Sequence, residues 1–128
     1  MEEQYHHHIT YIEFPTTSIK QSKEIFSAIF GWSFTDYGPD YTSFSDEGAG
    51  VAGGFFSIDQ SPAKTPEATL VVLYSSDLKA TQQAIIDAGG NISKETFSYP
   101  GGRRFHFIEP GGNELSVWSE DVDSESVD

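Results

Sequence analysis

The sequence predicts an α+β fold in which two βαβββ modules form a curved, eight-stranded mixed sheet with an internal cleft and helices outside. Three observations lead to this prediction. Short runs of β-branched and aromatic residues alternate with turn-rich breaks, two amphipathic helical patterns each follow one such run, and the order strand, helix, three strands occurs twice. One unit alone cannot bury both its helix stripe and its sheet face, so we expect two units to pair.

The first module is predicted to span residues 8–58. Its first strand, residues 8–15, is β-branched and aromatic, and Ser18, with Gln21 at capping-box spacing, starts a helix that Gly31 ends. One face of this helix carries residues at a spacing typical of amphipathic helices: Ser22, Ile25, Phe26, Ile29 and Phe30. Three short strands follow, with turns at residues 38–40 and 46–48 between them: residues 32–37, 41–46 and 50–58.

The second module is predicted to span residues 68–119, after a polar stretch at residues 57–67. A strand at residues 69–74 precedes a cap at residues 75–77, a helix stripe and Gly89-Gly90. Strands then fit residues 91–97, 103–108 and 114–119. The modules superpose with one offset of 58 residues, which places Ser18 on Ser76 and Gly31 on Gly89. A ferredoxin-like sandwich is the main alternative fold.

Length, charge and cysteine content narrow the protein class. A chain of 128 residues suits one domain, predicted over residues 1–120, followed by a flexible acidic tail at residues 121–128. Cysteine is absent, and no apolar run reaches the roughly 20 residues of a membrane span, so we expect a cytoplasmic protein. A net charge of −13 disfavours binding to nucleic acid or anionic membranes and suits a cationic ligand.

Four segments, in order, cover nearly the whole chain and carry a family resemblance. They are ITYIEFP with KEIFSAIFGWSF at residues 9–15 and 23–34, AGVAGGF at 49–55, SSDLKATQQAIIDAGGNI at 75–92, and RRFHFIEPGGNELSVW at 103–118. Together they resemble the vicinal oxygen chelate superfamily, which includes glyoxalases, bleomycin resistance proteins and dioxygenases. Glu109 stands where that family usually has Asp before the Pro-x-Gly-Asn turn. In this turn, Gly111 and Gly112 are expected to adopt positive φ.

The resemblance implies where a metal would bind, but this chain lacks the family's ligands at those positions. Metal-dependent members direct one His, Gln or Glu from each of four strands to a divalent ion. The matching positions here are occupied by weak or non-ligating residues: Tyr11, the glycine run near Gly53, Thr69 or Leu70, and Ser116. We therefore predict no family-type metal and no cofactor. A relocated carboxylate site using Glu13 and Glu114, or weak binding by residues 6–8, is the lesser alternative.

Strand alternation predicts which side chains line the cleft. Tyr11 and Glu13 share one face of their strand, as Glu114, Ser116 and Trp118 do of theirs. In residues 103–108 we expect the phenylalanines under the helix and the polar residues in the cleft. The predicted catalytic residues are Glu13 and His106, because a carboxylate and an imidazole that titrates near neutral pH serve acid–base chemistry. The predicted ligand-binding residues are Tyr11, Arg104, Glu114, Ser116 and Trp118.

The leading functional hypothesis is a metal-independent small-molecule-binding protein that sequesters its ligand or has lyase or isomerase activity. One alternative is a metal-dependent lyase or dioxygenase of the same superfamily. Another is an antibiotic-sequestering resistance protein, because an acidic surface and an aromatic cleft suit a cationic, aromatic compound. Exposed sheet edges favour a homodimer.

Overall fold

The computed structural model describes residues 5–60 and 69–120. The chain divides into two compact units, Met1–Ser61 and Pro62–Asp128. The predicted acidic tail at residues 121–128 lies outside the described residues, as does most of the predicted polar stretch between the modules. In the described part of the chain, no helix has both the length and the apolar character needed to cross a membrane.

The first unit contains a four-stranded mixed sheet. Its elements are β1 Tyr11–Thr16, α1 Ile19–Phe30, β2 Phe34–Asp36, β3 Tyr41–Phe44, α2 Asp46–Ala49 and β4 Ala52–Ser57. The strand order is β1-β4-β3-β2, with β1 parallel to β4 and the other pairs antiparallel. The stretch predicted as a turn at residues 46–48 is a one-turn helix, α2, which starts with two acidic residues.

The second unit repeats this arrangement. Its elements are β5 Val71–Tyr74, α3 Leu78–Asp87, β6 Asn91–Tyr99, β7 Gly102–Ile108 and β8 Glu114–Ser119. The order β5-β8-β7-β6, with β5 parallel to β8, is the order of the first sheet. The predicted α+β class with two βαβββ modules is confirmed, and its eight strands form two four-stranded mixed sheets. A ferredoxin-like sandwich would not repeat one strand order in two sheets.

The two helices begin with the same local motif. The Ser18 side chain accepts a hydrogen bond from Gln21 N in α1, and the Asp77 side chain accepts one from Ala80 N in α3. Asp77 lies 59 positions after Ser18, so the predicted superposition of Ser18 on Ser76 is wrong by one residue. The glycines that follow the helices keep the predicted offset of 58, since Gly31 and Gly89 both have positive φ, 75° and 99°.

A pair of hydroxyl groups ties each first strand to its helix. Thr16 Oγ1 and Ser22 Oγ lie 2.8 Å apart in the first unit, and Ser75 Oγ and Thr81 Oγ1 lie 2.7 Å apart in the second. These pairs also differ by 59 positions. The offset is therefore 59 at the helix starts and 57 at the last helical residues, since α3 has 10 residues and α1 has 12.

Each unit buries one sheet face together with its helix. In the first unit this core is aromatic, and its rings contact one another: Phe14, Phe26, Trp32, Phe44 and Phe55. In the second it is mostly aliphatic: Leu78, Ile85, Phe105, Phe107, Leu115 and Val117. Because alternate strand residues point to opposite faces, the remaining residues of β1, β7 and β8 present polar side chains on the face away from the helix.

The turn between β7 and β8 is held by a buried carboxylate. Glu109 is 1% exposed, and its carboxylate accepts hydrogen bonds from Gly111 N at 2.8 Å and Asn113 Nδ2 at 2.7 Å. Gly112 has φ 106°, whereas Gly111 has no positive φ, so the prediction for Gly111 is wrong. The reason is that the Glu109 carboxylate binds the backbone amide of Gly111 directly and fixes its conformation.

Candidate functional site

In the first unit, two predicted residues meet a third that the sequence did not indicate. Alternation in β1 places Tyr11 and Glu13 on the face away from α1, and Tyr41 of β3 reaches both. The Tyr41 hydroxyl donates to Glu13 Oε2 at 2.9 Å, and the Tyr11 and Tyr41 hydroxyl oxygens are 2.6 Å apart. A phenol has one hydrogen to donate, so Tyr11 must be the donor to Tyr41. We call these three residues the tyrosine cluster.

The glycine run of β4 makes room for this cluster. A Cβ on Gly54 would lie 2.3 Å from the Tyr41 hydroxyl oxygen, so the ring lies across a position that has no side chain. A Cβ on Gly53 would instead meet the Phe44 ring at 2.5 Å, on the core side of the sheet. The resemblance placed the fourth-strand ligand near Gly53, but the glycine that shares the face of Tyr11 is Gly54.

The environment of Tyr41 keeps its phenol protonated. Burial, followed by the hydrogen bonds with Tyr11 and Glu13, raises the pKa of Tyr41 well above its ordinary value of 10.0. The negative charge of the Glu13 carboxylate opposes formation of a phenolate beside it. At neutral pH, Tyr41 is therefore a hydrogen-bond donor whose hydrogen is directed at Glu13.

In the second unit, the five predicted residues lie on one face of the sheet. In the β7–β8 register, His106 is opposite Ser116, Arg104 is opposite Trp118, and Ile108 is opposite Glu114. Phe105 and Phe107 are fully buried on the other face. The prediction that Arg104 and His106 share a face with the polar residues of β8 is confirmed. We call this surface, with the residues of β6 beside it, the His106 face: Lys94, Phe97, Tyr99, Arg104, His106, Glu114, Ser116 and Trp118.

His106 is oriented by a carboxylate. Its Nδ1 lies 3.6 Å from Glu114 Oε2, and that oxygen also accepts a hydrogen bond from Ser93 Oγ at 2.8 Å. A carboxylate facing Nδ1 favours the tautomer with its hydrogen on that nitrogen, which leaves Nε2 as an acceptor. Nε2 is buried and has no hydrogen-bond partner among the described residues.

The pKa of His106 is lowered from its ordinary value of 6.5. Burial is the largest cause, and the positive charges of Arg104 and Lys94 add to it, while Glu114 acts in the opposite direction. The sequence predicted that His106 titrates near neutral pH, and the shift in its pKa is away from pH 7, toward the neutral imidazole. His106 is therefore a neutral imidazole at pH 7, able to accept a proton through Nε2.

Arg104 and Lys94 lie over aromatic rings. The Arg104 Cζ atom is 5.5 Å from the Phe97 ring centroid and 5.4 Å from that of Tyr99, and Lys94 Nζ is 4.9 Å from the Phe97 centroid. Among the described residues, no carboxylate oxygen lies within 4.0 Å of either cation. The buried Arg104 Nε has no hydrogen-bond partner in the same part of the chain.

Ser116 and Trp118 are held more tightly than the other residues of the His106 face. Ser116 is fully buried, and its hydroxyl donates to the Phe105 carbonyl at 3.0 Å. The Trp118 ring packs edge-on against Tyr74, with centroids 5.1 Å apart. Ser116 therefore donates its only hydroxyl hydrogen to the backbone, whereas Arg104 and His106 each keep a nitrogen that has no hydrogen-bond partner in the part of the chain that the structure describes.

The residues present do not fit the metal of the resemblance. At the four matching positions, Tyr11 bonds to Tyr41, the glycine run has no side chain, Leu70 is an alkyl group, and the Ser116 hydroxyl bonds to a backbone carbonyl. Across residues 5–60 and 69–120, no three His, Asp or Glu side chains are grouped so as to hold a metal ion. The donor set is phenol and hydroxyl, which bind divalent transition metals poorly.

A groove of about 490 Å³ lies elsewhere in the first unit, between α1 and the turn that joins β2 to β3. Trp32, Phe34 and the Lys23–Asp36 ion pair line it. It contains no predicted site residue. The groove is open and is formed on the side of the sheet that bears the helix, so it is separate from the tyrosine cluster.

Comparison with known proteins places these features in a family context. The family model described as Glyoxalase/Bleomycin resistance protein/Dioxygenase superfamily matches residues 7–117. No curated protein sequence matches the chain.

Solved structures of similar fold are numerous. A glyoxalase-related enzyme from Fulvimarina pelagi has a TM-score of 0.71 at 16% identity, covering 89% of this chain and 88% of its own. A glyoxalase/bleomycin resistance protein/dioxygenase family enzyme from Burkholderia phytofirmans PsJN has a TM-score of 0.70 at 14% identity, and the match covers 87% of this chain and 97% of that one. Lactoylglutathione lyase from Agrobacterium tumefaciens has a TM-score of 0.63 at 12% identity, and the match covers 88% of this chain and 93% of that one. At these identities the likeness concerns the fold alone.

Proposed function

Because this chain belongs to the glyoxalase/bleomycin resistance protein/dioxygenase superfamily, we propose that it binds a small molecule on the His106 face and works without a bound metal. The observation that carries this proposal is the state of His106, a buried, neutral imidazole with a carboxylate at one nitrogen and, within residues 5–60 and 69–120, no hydrogen-bond partner at the other. A side chain prepared in this way accepts a proton from a bound molecule.

The chemistry that this arrangement supports is proton transfer. His106 Nε2 takes a proton from a C–H or O–H group of the ligand, and Glu114 stabilises the imidazolium that forms, since it lies 3.6 Å from Nδ1. Return of the proton to a different ligand atom is an isomerisation, and loss of a leaving group is a lyase reaction. A ligand without an acidic group is bound and sequestered.

The tyrosine cluster lies in the first unit and is not part of the proposed site. The Tyr41 phenol donates its one hydrogen to Glu13, which holds the ring in place. Glu13, predicted as a catalytic residue, is an exposed carboxylate that accepts the Tyr41 hydrogen bond. We propose His106 as the base.

Metal analysis tests the proposal against the metal-dependent lyase or dioxygenase. The protein is purified without a metal-affinity step, and its metal content and thermal unfolding midpoint are measured before and after dialysis against EDTA. We expect no stoichiometric transition metal and an unchanged midpoint. Stoichiometric zinc, nickel, manganese or iron whose removal lowers the midpoint contradicts the proposal.

A binding screen tests the antibiotic-sequestering alternative. Bleomycin, a cationic aromatic compound, is added at saturating concentration in a thermal-shift measurement. A large upward shift that is lost in Trp118→Ala would support sequestration of such compounds. No shift is expected if the positive charges of Arg104 and Lys94 decide which ligands the face accepts.

The predicted homodimer and cytoplasmic location remain part of the proposal. The first strand of each sheet, β1 or β5, is an edge strand within its sheet, which supports association through strand edges. Sedimentation equilibrium measures the mass in solution. A mass of one chain across the concentration range contradicts the homodimer.

A further inference from the structure

We infer that the ligand of the His106 face is a small planar anion, such as an aromatic carboxylate, held by Arg104 and Lys94. This inference rests on the proposed function and names its ligand class. It reverses, for this face, the expectation of a cationic ligand drawn from the acidic composition.

The first argument is the placement of scarce positive charge. The chain has 7 Lys and Arg against 20 Asp and Glu, so a cation has many acidic side chains available as partners. Lys20 and Lys23 do have such partners, Glu24 and Asp36. Arg104 and Lys94 have none within 4.0 Å in the described part of the chain, although they lie on the same face of adjacent strands.

The second argument is the path of β6, which keeps carboxylates away from these cations. Its pairing with β7 is irregular between Lys94 and Phe97, so both of these residues face the same side. Glu95 and Thr96, which lie between Lys94 and Phe97, both bond to Gln82 of α3. The Gln82 side chain donates a hydrogen bond to Glu95 and accepts one from Thr96. With regular alternation counted back from Phe97, the Glu95 side chain would lie on the same face as Phe97 and Arg104, and Lys94 would lie on the opposite face.

The third argument is that the one carboxylate of the face is already engaged. Glu114 accepts a hydrogen bond from Ser93 and faces His106. The face therefore carries two positive charges, one negative charge and a neutral imidazole. The lowered pKa of His106, to which both cations contribute, reflects the same positive environment.

The fourth argument is the shape of the cation site. The Arg104 guanidinium lies over the rings of Phe97 and Tyr99, and its planar N–H groups have no carboxylate partner among the described residues. A carboxylate accepts two parallel hydrogen bonds from such groups. The rings beside it, together with Trp118 opposite Arg104, offer apolar surface to a planar group that carries the carboxylate.

The test uses three naphthalene probes of similar size that differ in charge: 2-naphthoate, neutral 2-naphthamide and the 2-naphthylmethylammonium cation. Each is titrated into the metal-free, full-length protein, and amide resonances of β6, β7 and β8 are followed by NMR. We expect naphthoate to bind at least about tenfold more tightly than either of the others, because only it forms charge-assisted hydrogen bonds with Arg104.

Variants locate the binding. Arg104→Gln is expected to weaken naphthoate binding about tenfold or more, and Arg104→Lys, which keeps the charge but not the planar fork, to weaken it less. Lys79→Gln is the matched control, because Lys79 is an exposed cation on α3. Thermal unfolding of each variant checks that it is folded. If Arg104→Gln does not fold, the comparison is made with Arg104→Lys.

Three results overturn the inference. They are no naphthoate-dependent change at about 10 mM, a concentration far above that needed to detect weak sites; equal or tighter binding of the cation or the amide; and equal effects of the Arg104 and Lys79 substitutions. These outcomes are distinct from failure of the proposed function, which depends on metal content. Cation binding by metal-free protein removes the inference and leaves the proposed function standing.

Discussion

The carboxylate of Glu109 lies in the turn before β8, where it accepts hydrogen bonds from the Gly111 backbone and the Asn113 side chain. It is nearly fully buried, whereas Glu13 is exposed. The two residues show how position decides the use of the same group. A buried carboxylate with its acceptors filled serves the fold, and an exposed one remains available to a neighbour such as Tyr41.

Replacing Glu109 tests this structural role. Glu109→Ala leaves the Gly111 amide and Asn113 side chain without their acceptor, so we expect the free energy of unfolding to fall by about 3 kcal/mol. Glu109→Asp, which restores the residue usual in the family, is expected to lower the free energy of unfolding by less than Glu109→Ala. Chemical denaturation measures the change, and exposed Asp59→Ala, expected within about 0.5 kcal/mol, is the control. Equal losses for Glu109→Ala and Asp59→Ala contradict the role.

The charges around His106 predict its titration. Its NMR midpoint is expected below 6.5, lower still in Glu114→Gln and higher in Arg104→Gln, because the first loses a stabilising negative charge and the second a repelling positive one. Since the folded-state pKa is lowered, the contribution of His106 to stability is complete above pH 6.5 and declines as pH falls below it. Glu24→Gln, on α1, should leave the midpoint unchanged. A midpoint that rises in Glu114→Gln would refute this account.

At the scale of elements, the helices and the two central strands of the second sheet follow from sequence patterns. Capping residues, apolar spacing and closing glycines gave the limits of α1 and α3 closely, and alternation gave the faces of β7 and β8. These signals are local, so no tertiary information is needed to interpret them.

The unpredicted parts of the site depend on contacts between strands. Tyr41 joins the tyrosine cluster because Gly54, on a neighbouring strand, leaves space for its ring. Lys94 and Phe97 share a face because β6 is irregular, and strict alternation would have separated them. Such irregularities arise from strand pairing, which the sequence of one strand does not reveal.

The helix-start motif makes a prediction at this scale. Asp77→Ala removes the cap of α3 and is expected to lower the free energy of unfolding by about 1 kcal/mol, as is Ser18→Ala in α1. Ser76→Ala is the matched control, since Ser76 is exposed and is the residue that the 58-residue offset would have made the cap. Thermal or urea unfolding compares the three. A larger loss for Ser76→Ala than for Asp77→Ala would restore the original alignment.

At the scale of the whole molecule, the dominant feature is the net charge of −13. Like charges on a folded surface repel one another and oppose the compact state. The local positive charge of the His106 face is therefore an exception within an acidic protein, which composition alone cannot reveal. The fold class, the module order and the acidic net charge followed from the sequence, but the positive charge of the His106 face did not.

Charge repulsion predicts a response to salt. Raising NaCl from about 0.01 M to about 0.5 M shortens the Debye length from about 30 Å to a few Å and should raise the thermal unfolding midpoint. Replacing exposed Asp40, Glu47 and Asp59 by their amides removes three negative charges and should raise the low-salt midpoint and flatten the response. A midpoint that falls with salt in the unmodified protein would show that favourable ion pairs outweigh the repulsion.

The ring of Tyr41 and the bare backbone of Gly54 constrain each other's evolution. A Cβ at position 54 would lie 2.3 Å from the Tyr41 hydroxyl oxygen and 2.8 Å from the Thr42 carbonyl oxygen, so a side chain there requires both the phenol and the neighbouring backbone to shift. A lineage that keeps the tyrosine cannot acquire an ion-coordinating residue at position 54 by a single substitution. Ancestors and descendants of this chain should therefore divide into those with an aromatic hydroxyl over a glycine and those with a longer residue at that glycine's place, with no working intermediate that has both.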